Sequence, residues 1–178
     1  MPGPAFLHGE TVALHTIEAE DVPFLHETVN DPAVRDGLSI GRPLSEQAER
    51  EWVESVGERD SDEVHLLICV DGDPVGTVGL NGVAATNGHA ELGYYLAEDA
   101  WGNGYATDAA RTLVDHAFGE LRLHRVYAKA FEDNEGSQRV LAKVGFEREG
   151  TLRDHWYRRG SHEDVHVYGL LADEWDGR

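Results

Sequence analysis

Lysine is nearly missing from this chain. Of its 15 basic residues only Lys129 and Lys143 are lysines; the other thirteen are arginines. They face 34 acidic residues, for a formal charge of -19. Such a surface repels nucleic acid and anionic membrane, so neither is expected as a partner. Cysteine is as scarce. Cys69 stands alone, which rules out an internal disulfide framework and leads one to expect a cytoplasmic protein. Residues 65–70 around it read as a buried strand, where a small core residue outweighs a nucleophile. Long apolar runs are absent too, with nothing near the ~18 consecutive residues of a membrane-spanning helix. The start, Met1-Pro2-Gly3-Pro4-Ala5, lacks the basic-then-apolar pattern of a secretory signal. No repeat, low-complexity tract or long linker interrupts the 178 residues. They are expected to form one domain, with its core between about residues 8 and 175.

The acid has two readings. It attracts a cationic substrate, or it is a solvated coat suited to a very salty interior. It is spread along the whole chain instead of clustering, which favours the coat.

What is present is alternating α and β patterning. Residues 10–17 read as a first strand and 20–30 as a helix, with Pro23 tolerated in its first turn. Ser45 caps a second helix through about Val56, with Glu46 and Glu49 near its positive end. Residues 64–70 and 75–80 form a hairpin around Asp71-Gly72-Asp73-Pro74. Asn87-Gly88 then turns into a strand over 89–96. After a glycine-rich loop, Ala110, Leu113, Val114, Ala117 and Phe118 make one apolar helical stripe. Residues 124–131 read as a strand, Asn134 opens a helix to about Lys143, and Gly145 ends it. Two closing strands, about 146–157 and 164–171, meet at Arg159-Gly160. The expected architecture is α/β (α+β): a mixed, largely antiparallel sheet of about seven strands flanked by about four helices.

The loop is Trp101-Gly102-Asn103-Gly104-Tyr105-Ala106-Thr107. Its glycines leave backbone amides unshielded, and the following helix offers unpaired N–H groups and a positive dipole end. Together they make an anion site that needs no lysine. A P-loop would need Gly-Lys-Ser/Thr, which is missing. A Rossmann fingerprint would need a third glycine at Thr107 and a second βαβ half, which the antiparallel strands do not supply. The loop alone remains compatible with an ordinary glycine-rich helix entry.

Two ordered segments resolve this. Glu91-Leu92-Gly93-Tyr94-Tyr95-Leu96, a short spacer and the loop come first. Asp133-Asn134-Glu135-Gly136-Ser137 through Gly145-Phe146 comes second. Together they resemble the GCN5-related N-acetyltransferase (GNAT) family, and within it the branch that acetylates the N-termini of ribosomal proteins. Gly104 and Ala106 match the last two positions of the family's Gln/Arg-x-x-Gly-x-Gly/Ala signature, while Trp101 replaces the Gln/Arg. Glu149-Gly150-Thr151-Leu152-Arg153 and the closing residues 164–168 also look familiar. The resemblance implies acetyl-coenzyme A as co-substrate, no metal, and direct attack of a primary amine on the thioester.

It further implies cofactor contacts from Tyr95, Leu96, Trp101, Gly102, Asn103, Gly104, Tyr105, Ala106, Thr107 and Asn134, with the backbone of Tyr95 and Leu96 pairing with the pantetheine amides. Ser137 would donate to the departing sulfur, although an N3 position beneath an Asn134 cap would explain it as well. Tyr127 and Tyr157 are weaker acid candidates. Glu91, on the strand face opposite Ala90, Leu92, Tyr94 and Leu96, is the candidate base, acting through water; a plain solvated carboxylate is the competing reading. An α-amine, with a pKa near ~8, needs less help from a base than a lysine amine near ~10.4.

Two rivals come from other classes. His162-Glu163-Asp164-Val165-His166 spells the zinc-protease string His-Glu-x-x-His, whose histidines must share one helical face. Here it runs from a turn into strand-forming residues, which would set the histidines ~13 Å apart. A non-catalytic acyl-coenzyme A sensor or scaffold is the other. The acceptor is expected to be a protein N-terminus, with polyamines, aminoglycosides and amino-acid-like amines as alternatives. Specificity is expected in residues 20–56 and in the hairpin near 158–163. The oligomeric state, homodimer included, is left open.

Overall fold

The computed structural model describes residues 2–38, 40–56, 61–84 and 86–177. Its strands are β1 (Ala5–His8), β2 (Ala13–His15), β3 (Val64–Val70), β4 (Asp73–Ala84), β5 (His89–Leu96), β6 (Arg125–Phe131), β7 (Glu147–Arg158) and β8 (Ser161–Leu171). Its α-helices are α1 (Val22–Asn30), α2 (Pro32–Leu38), α3 (Glu46–Val56), α4 (Tyr105–Gly119) and α5 (Glu135–Val144). The strands form one sheet in the order β1-β2-β3-β4-β5-β6-β8-β7. Every neighbouring pair is antiparallel except β5 with β6.

Strand alternation places the helices. On β3, Leu66 and Ile68 join the cluster under α4 and α5, while Leu67 and Cys69 join Val22, Leu25 and Val53 of α1 and α3. β3 is thus covered on both faces. Cys69 is a core residue, its thiol pushed up to about 12 by burial, with Asp21 and Asp73 adding to the shift. Ala110, Leu113, Val114 and Ala117 of α4 are buried against the same sheet face as Val126, Ala128 and Ala130.

The mixed α/β class holds, with two corrections. The first strand expected over residues 10–17 is a short hairpin, β1 and β2. Its turn is held from a distance: Asp108 on α4 accepts N–H bonds from Glu10, Thr11 and Val12 at 3.0, 2.7 and 3.0 Å. Burial by itself raises the Asp108 carboxyl, but these bonds outweigh it and hold the group below the usual carboxylate range. A β-carbon at Gly9 would meet Asp108 Oδ2 at 2.5 Å, so a side chain there would displace the carboxylate that holds the turn. The second correction is α2, an unexpected helix. It starts on Pro32, with Asp31 Oδ1 accepting from Ala33 N at 2.8 Å. An aspartate before proline at the first helical position is a start signal, and this one was readable.

The β7–β8 hairpin closes onto α2. Arg158, only 9% exposed, pairs with Asp36, Asp133 and Glu163 and lies 3.8 Å from the centre of the Phe131 ring. Arg159 reaches the same Asp36 and Asp133. The two segments expected to set specificity therefore meet at one charged knot beside Asn134.

Candidate active site

β5 and β6 start as neighbours and then part. They pair only at His89 with Arg125, Ala90 with Val126, and Glu91 with Tyr127. Beyond Glu91, β5 runs on to Leu96 and β6 to Phe131 without pairing. Backbone polarity along β5 follows from its other edge. Ala97 N bonds Val75 O at 2.9 Å, so by alternation Gly93 and Tyr95 turn their backbone groups to β4. Leu92, Tyr94 and Leu96 turn theirs into the gap. The N–H and C=O of a strand that has lost its partner are a ready template for an extended amide chain. The expectation that the Tyr95 backbone faces the cofactor is corrected on this point: its carbonyl is directed at β4, within 2.1 Å of a β-carbon placed on Gly76.

The glycine loop lies at the far end of β5. Gly102 and Gly104 have φ of 78° and 86°, a left-handed conformation that glycine adopts without strain. A β-carbon at either would meet nothing within 4 Å, so the space above the loop is open. Gly104 is the N-cap of α4 and offers no side chain to the first turn. The amides of Tyr105, Ala106 and Thr107 thus precede the first intrahelical bond, Asp108 N to Gly104 O. Asn103 Nδ2 folds back onto the carbonyls of Ala100 and Trp101, tying the loop down. The Trp101 indole donates to Leu96 O at 3.0 Å, and the residue is 48% exposed. Trp101 thereby ties the loop to β5.

At α5 the opposite holds. Asn134 Oδ1 accepts from Ser137 N at 3.0 Å, so this helix is capped by its own side chain. Asn134 Nδ2 lies against Gly37 of α2, 3.4 Å from where a β-carbon would stand. The capping explanation of Ser137 is therefore realised, but it uses only the backbone. The Ser137 hydroxyl lies 2.9 Å from the Tyr94 hydroxyl.

Glu91 lies on the other sheet face, ion-paired with Lys129 at 3.1 Å. Lys129 also stands 5.7 Å from the centre of the Tyr127 ring. Burial pushes the Tyr127 hydroxyl upward, and the neighbouring Glu91 charge adds to it. Tyr127 is thus beside the candidate base, across the sheet from Ser137. Tyr157 is 63% exposed and packs on the His162 ring at the hairpin tip. Neither tyrosine hydroxyl is the one that meets Ser137. Tyr94 and Lys129 are the site residues sequence reasoning missed. Strand alternation put Tyr94 on the α5 side, but nothing local indicated its partner.

The string from His162 to His166 lies within β8, as its strand-forming residues suggested. His166 is buried with Nδ1 3.3 Å from Thr151 Oγ1, while His162 packs on Tyr157. The two histidines serve different neighbours.

One parallel pair that opens into a gap, with an uncapped helix N-terminus beside it, fits a long, extended co-substrate carrying an anionic head. That is the arrangement of an acyl-coenzyme A-dependent transferase. Residues 11–147 match the acetyltransferase (GNAT) domain, and the chain belongs to that family and is an acyltransferase. It is 34% identical to the putative ribosomal N-acetyltransferase YdaF of Bacillus subtilis (strain 168), over 94% of this chain and 95% of that one. A solved structure of a probable acetyltransferase is 32% identical with a TM-score of 0.87, covering 96% of this chain and 99% of the other. Spermidine N-acetyltransferase from Vibrio cholerae, solved in complex with CoA and spermine, shares the fold at 21% identity. Its TM-score is 0.86, with 92% and 97% of the two chains covered.

Proposed function

We propose that this enzyme moves the acetyl group of acetyl-coenzyme A to the N-terminal α-amine of a protein, of the ribosomal kind, by direct attack. The parted β5–β6 pair carries the reading of the cofactor site. The amides of Gly102 to Thr107 take the pyrophosphate, with Trp101 holding the loop against β5. The backbone of Leu96, joined by that of Tyr94, pairs with the pantetheine arm, and the Tyr95 side chain lines the acceptor side. The Asn134 side-chain amide donates to the arm while its oxygen caps α5.

Attack forms the C–N bond and breaks the C–S bond. Glu91, oriented by Lys129, receives the amine proton through water. Ser137 gives its proton to the departing thiolate and is reprotonated from solvent. The acceptor enters on the Glu91 face, bounded by α2 and the β7–β8 hairpin. No metal takes part in this reading.

The likeness to YdaF supports a ribosomal acceptor. The charge of -19 supports a second reading, a polyamine acceptor, on the same fold as the Vibrio cholerae enzyme. Thiol release from acetyl-coenzyme A separates them, measured with peptides bearing ribosomal-protein N-termini and with spermidine. Higher kcat/KM for the peptides is expected; the reverse order would overturn the ribosomal reading. Ser137→Ala should lower kcat by about 10² while cofactor still binds. Full turnover in that variant would remove Ser137 as the acid.

A further inference from the structure

We infer that Tyr94 is a positioning residue that aims the Ser137 hydroxyl at the departing thiolate. The inference rests on the reading of Ser137 as the proton donor and deepens it. Tyr94 stands three residues past Glu91, the last β5 residue paired with β6. Its side chain shares the sheet face of Ala90, Leu92 and Leu96, toward α4 and α5. Its hydroxyl oxygen lies 2.9 Å from Ser137 Oγ and 3.2 Å from the Ser137 carbonyl oxygen. Among the described residues, Tyr94 is the one β5 side chain beyond Glu91 that hydrogen-bonds to α5. It crosses the base of the gap that the thioester arm is read to occupy.

A phenol has one proton and can also accept, and so can the serine hydroxyl. Two arrangements fit the observed distances without moving a heavy atom. In the first, Tyr94 donates to the Ser137 carbonyl and Ser137 donates to the Tyr94 oxygen. Both hydroxyls are then satisfied, and the serine proton is tied up. In the second, Tyr94 donates to Ser137 Oγ, and the serine proton is released toward the gap. A thiolate forming in the gap favours the second, because it adds a charged acceptor for the released proton. Burial, partly offset by the Ser137 hydrogen bond, pushes the Tyr94 hydroxyl up to about 12. It therefore keeps its proton at neutral pH and remains a donor. In this inference the Tyr94 hydroxyl contacts Ser137 rather than the thioester or the amine, and acts only through Ser137.

The test is a double-mutant cycle of Tyr94→Phe and Ser137→Ala on the full chain. Phenylalanine keeps the packing and removes only the hydroxyl. Tyr94→Phe is expected to lower kcat about tenfold with the acetyl-coenzyme A KM within about twofold, the scale of one lost hydrogen bond. Coenzyme A binding measured by calorimetry should be unchanged, confirming a folded cofactor site. In the Ser137→Ala background, Tyr94→Phe should cost nothing further. A Tyr94→Phe enzyme with wild-type kcat, beside an impaired Ser137→Ala enzyme, overturns the inference alone. So does an equal loss from Tyr94→Phe in both backgrounds, since Tyr94 would then act independently. A fully active Ser137→Ala enzyme instead overturns the acid reading beneath it, and the inference with it.

Discussion

β3 and β7 belong to one sheet, yet β3 is buried from Leu66 to Cys69 while β7 is exposed along almost its whole length. β3 lies between two helical layers, with α4 and α5 on one face and α1 and α3 on the other. β7 is the sheet edge and shows Leu152, Trp156 and Tyr157 to solvent. The candidate site lies where one regime gives way to the other, at the β5–β6 gap. The doubly covered half supplies a rigid β5 with its outer edge already bonded to β4. The open half supplies the access. Preorganised donors need the first and an entering acceptor needs the second.

The largest effect is expected where the two halves are tied together. Arg158→Ala would leave Glu163 without its cation and Asp36 and Asp133 with Arg159 alone. Urea denaturation should show a loss of about 3–5 kcal/mol. A loss under about 1 kcal/mol would mean that the halves do not depend on this knot. Leu67→Ala in doubly covered β3 should cost about 2–5 kcal/mol. Leu152→Ala on β7 should cost about 0.5 kcal/mol or less, as exposed substitutions do. Similar losses at both positions would contradict the contrast between the halves.

Asp108→Asn removes the carboxylate that holds the β1–β2 turn. It should cost about 1.5–3 kcal/mol, the scale of hydrogen bonds to a charged group. The Asp108 carboxyl sits below its ordinary value when folded. Its contribution is therefore complete above the unfolded pKa of about 3.9 and lost as pH falls through the folded value. The variant should thus differ from wild type at neutral pH and converge with it in acid. A gap that stayed constant down to pH 2 would argue against the charged latch.

The smallest effect per residue belongs to the acidic surface. If the acid is a coat suited to high salt, the melting temperature should rise from low to molar salt as screening relieves self-repulsion. An unchanged melting temperature would favour attraction of a cationic acceptor as the purpose of the charge.

Much of this was legible locally. Ser45 caps α3, with its Oγ 3.2 Å from Ala48 N, and Gly145 ends α5 with φ of 115°. The bounds of β3 and β5, the stripe on α4 and the loop between them all follow from alternation, helical period and turn chemistry. The first hairpin was not legible. Its turn is held by Asp108, 96 to 98 residues away, and no local pattern encodes such a partner. The Tyr95 backbone assignment failed for a related reason. Which way a backbone group points depends on strand register, and register is set between strands.

By itself, then, the sequence determined the elements from α3 onward, the glycine loop, the uncapped start of α4 and the Asn134 cap. Each depends on residues within a turn or two of one another. Only the tertiary structure decided that β5 and β6 part after Glu91, and that Lys129 meets Glu91. It alone brought Arg158 to α2 and the Tyr94 hydroxyl to Ser137. Those contacts join residues 38 to 122 positions apart. They exist because the sheet order and the packing of α2 and α5 bring distant segments to one place.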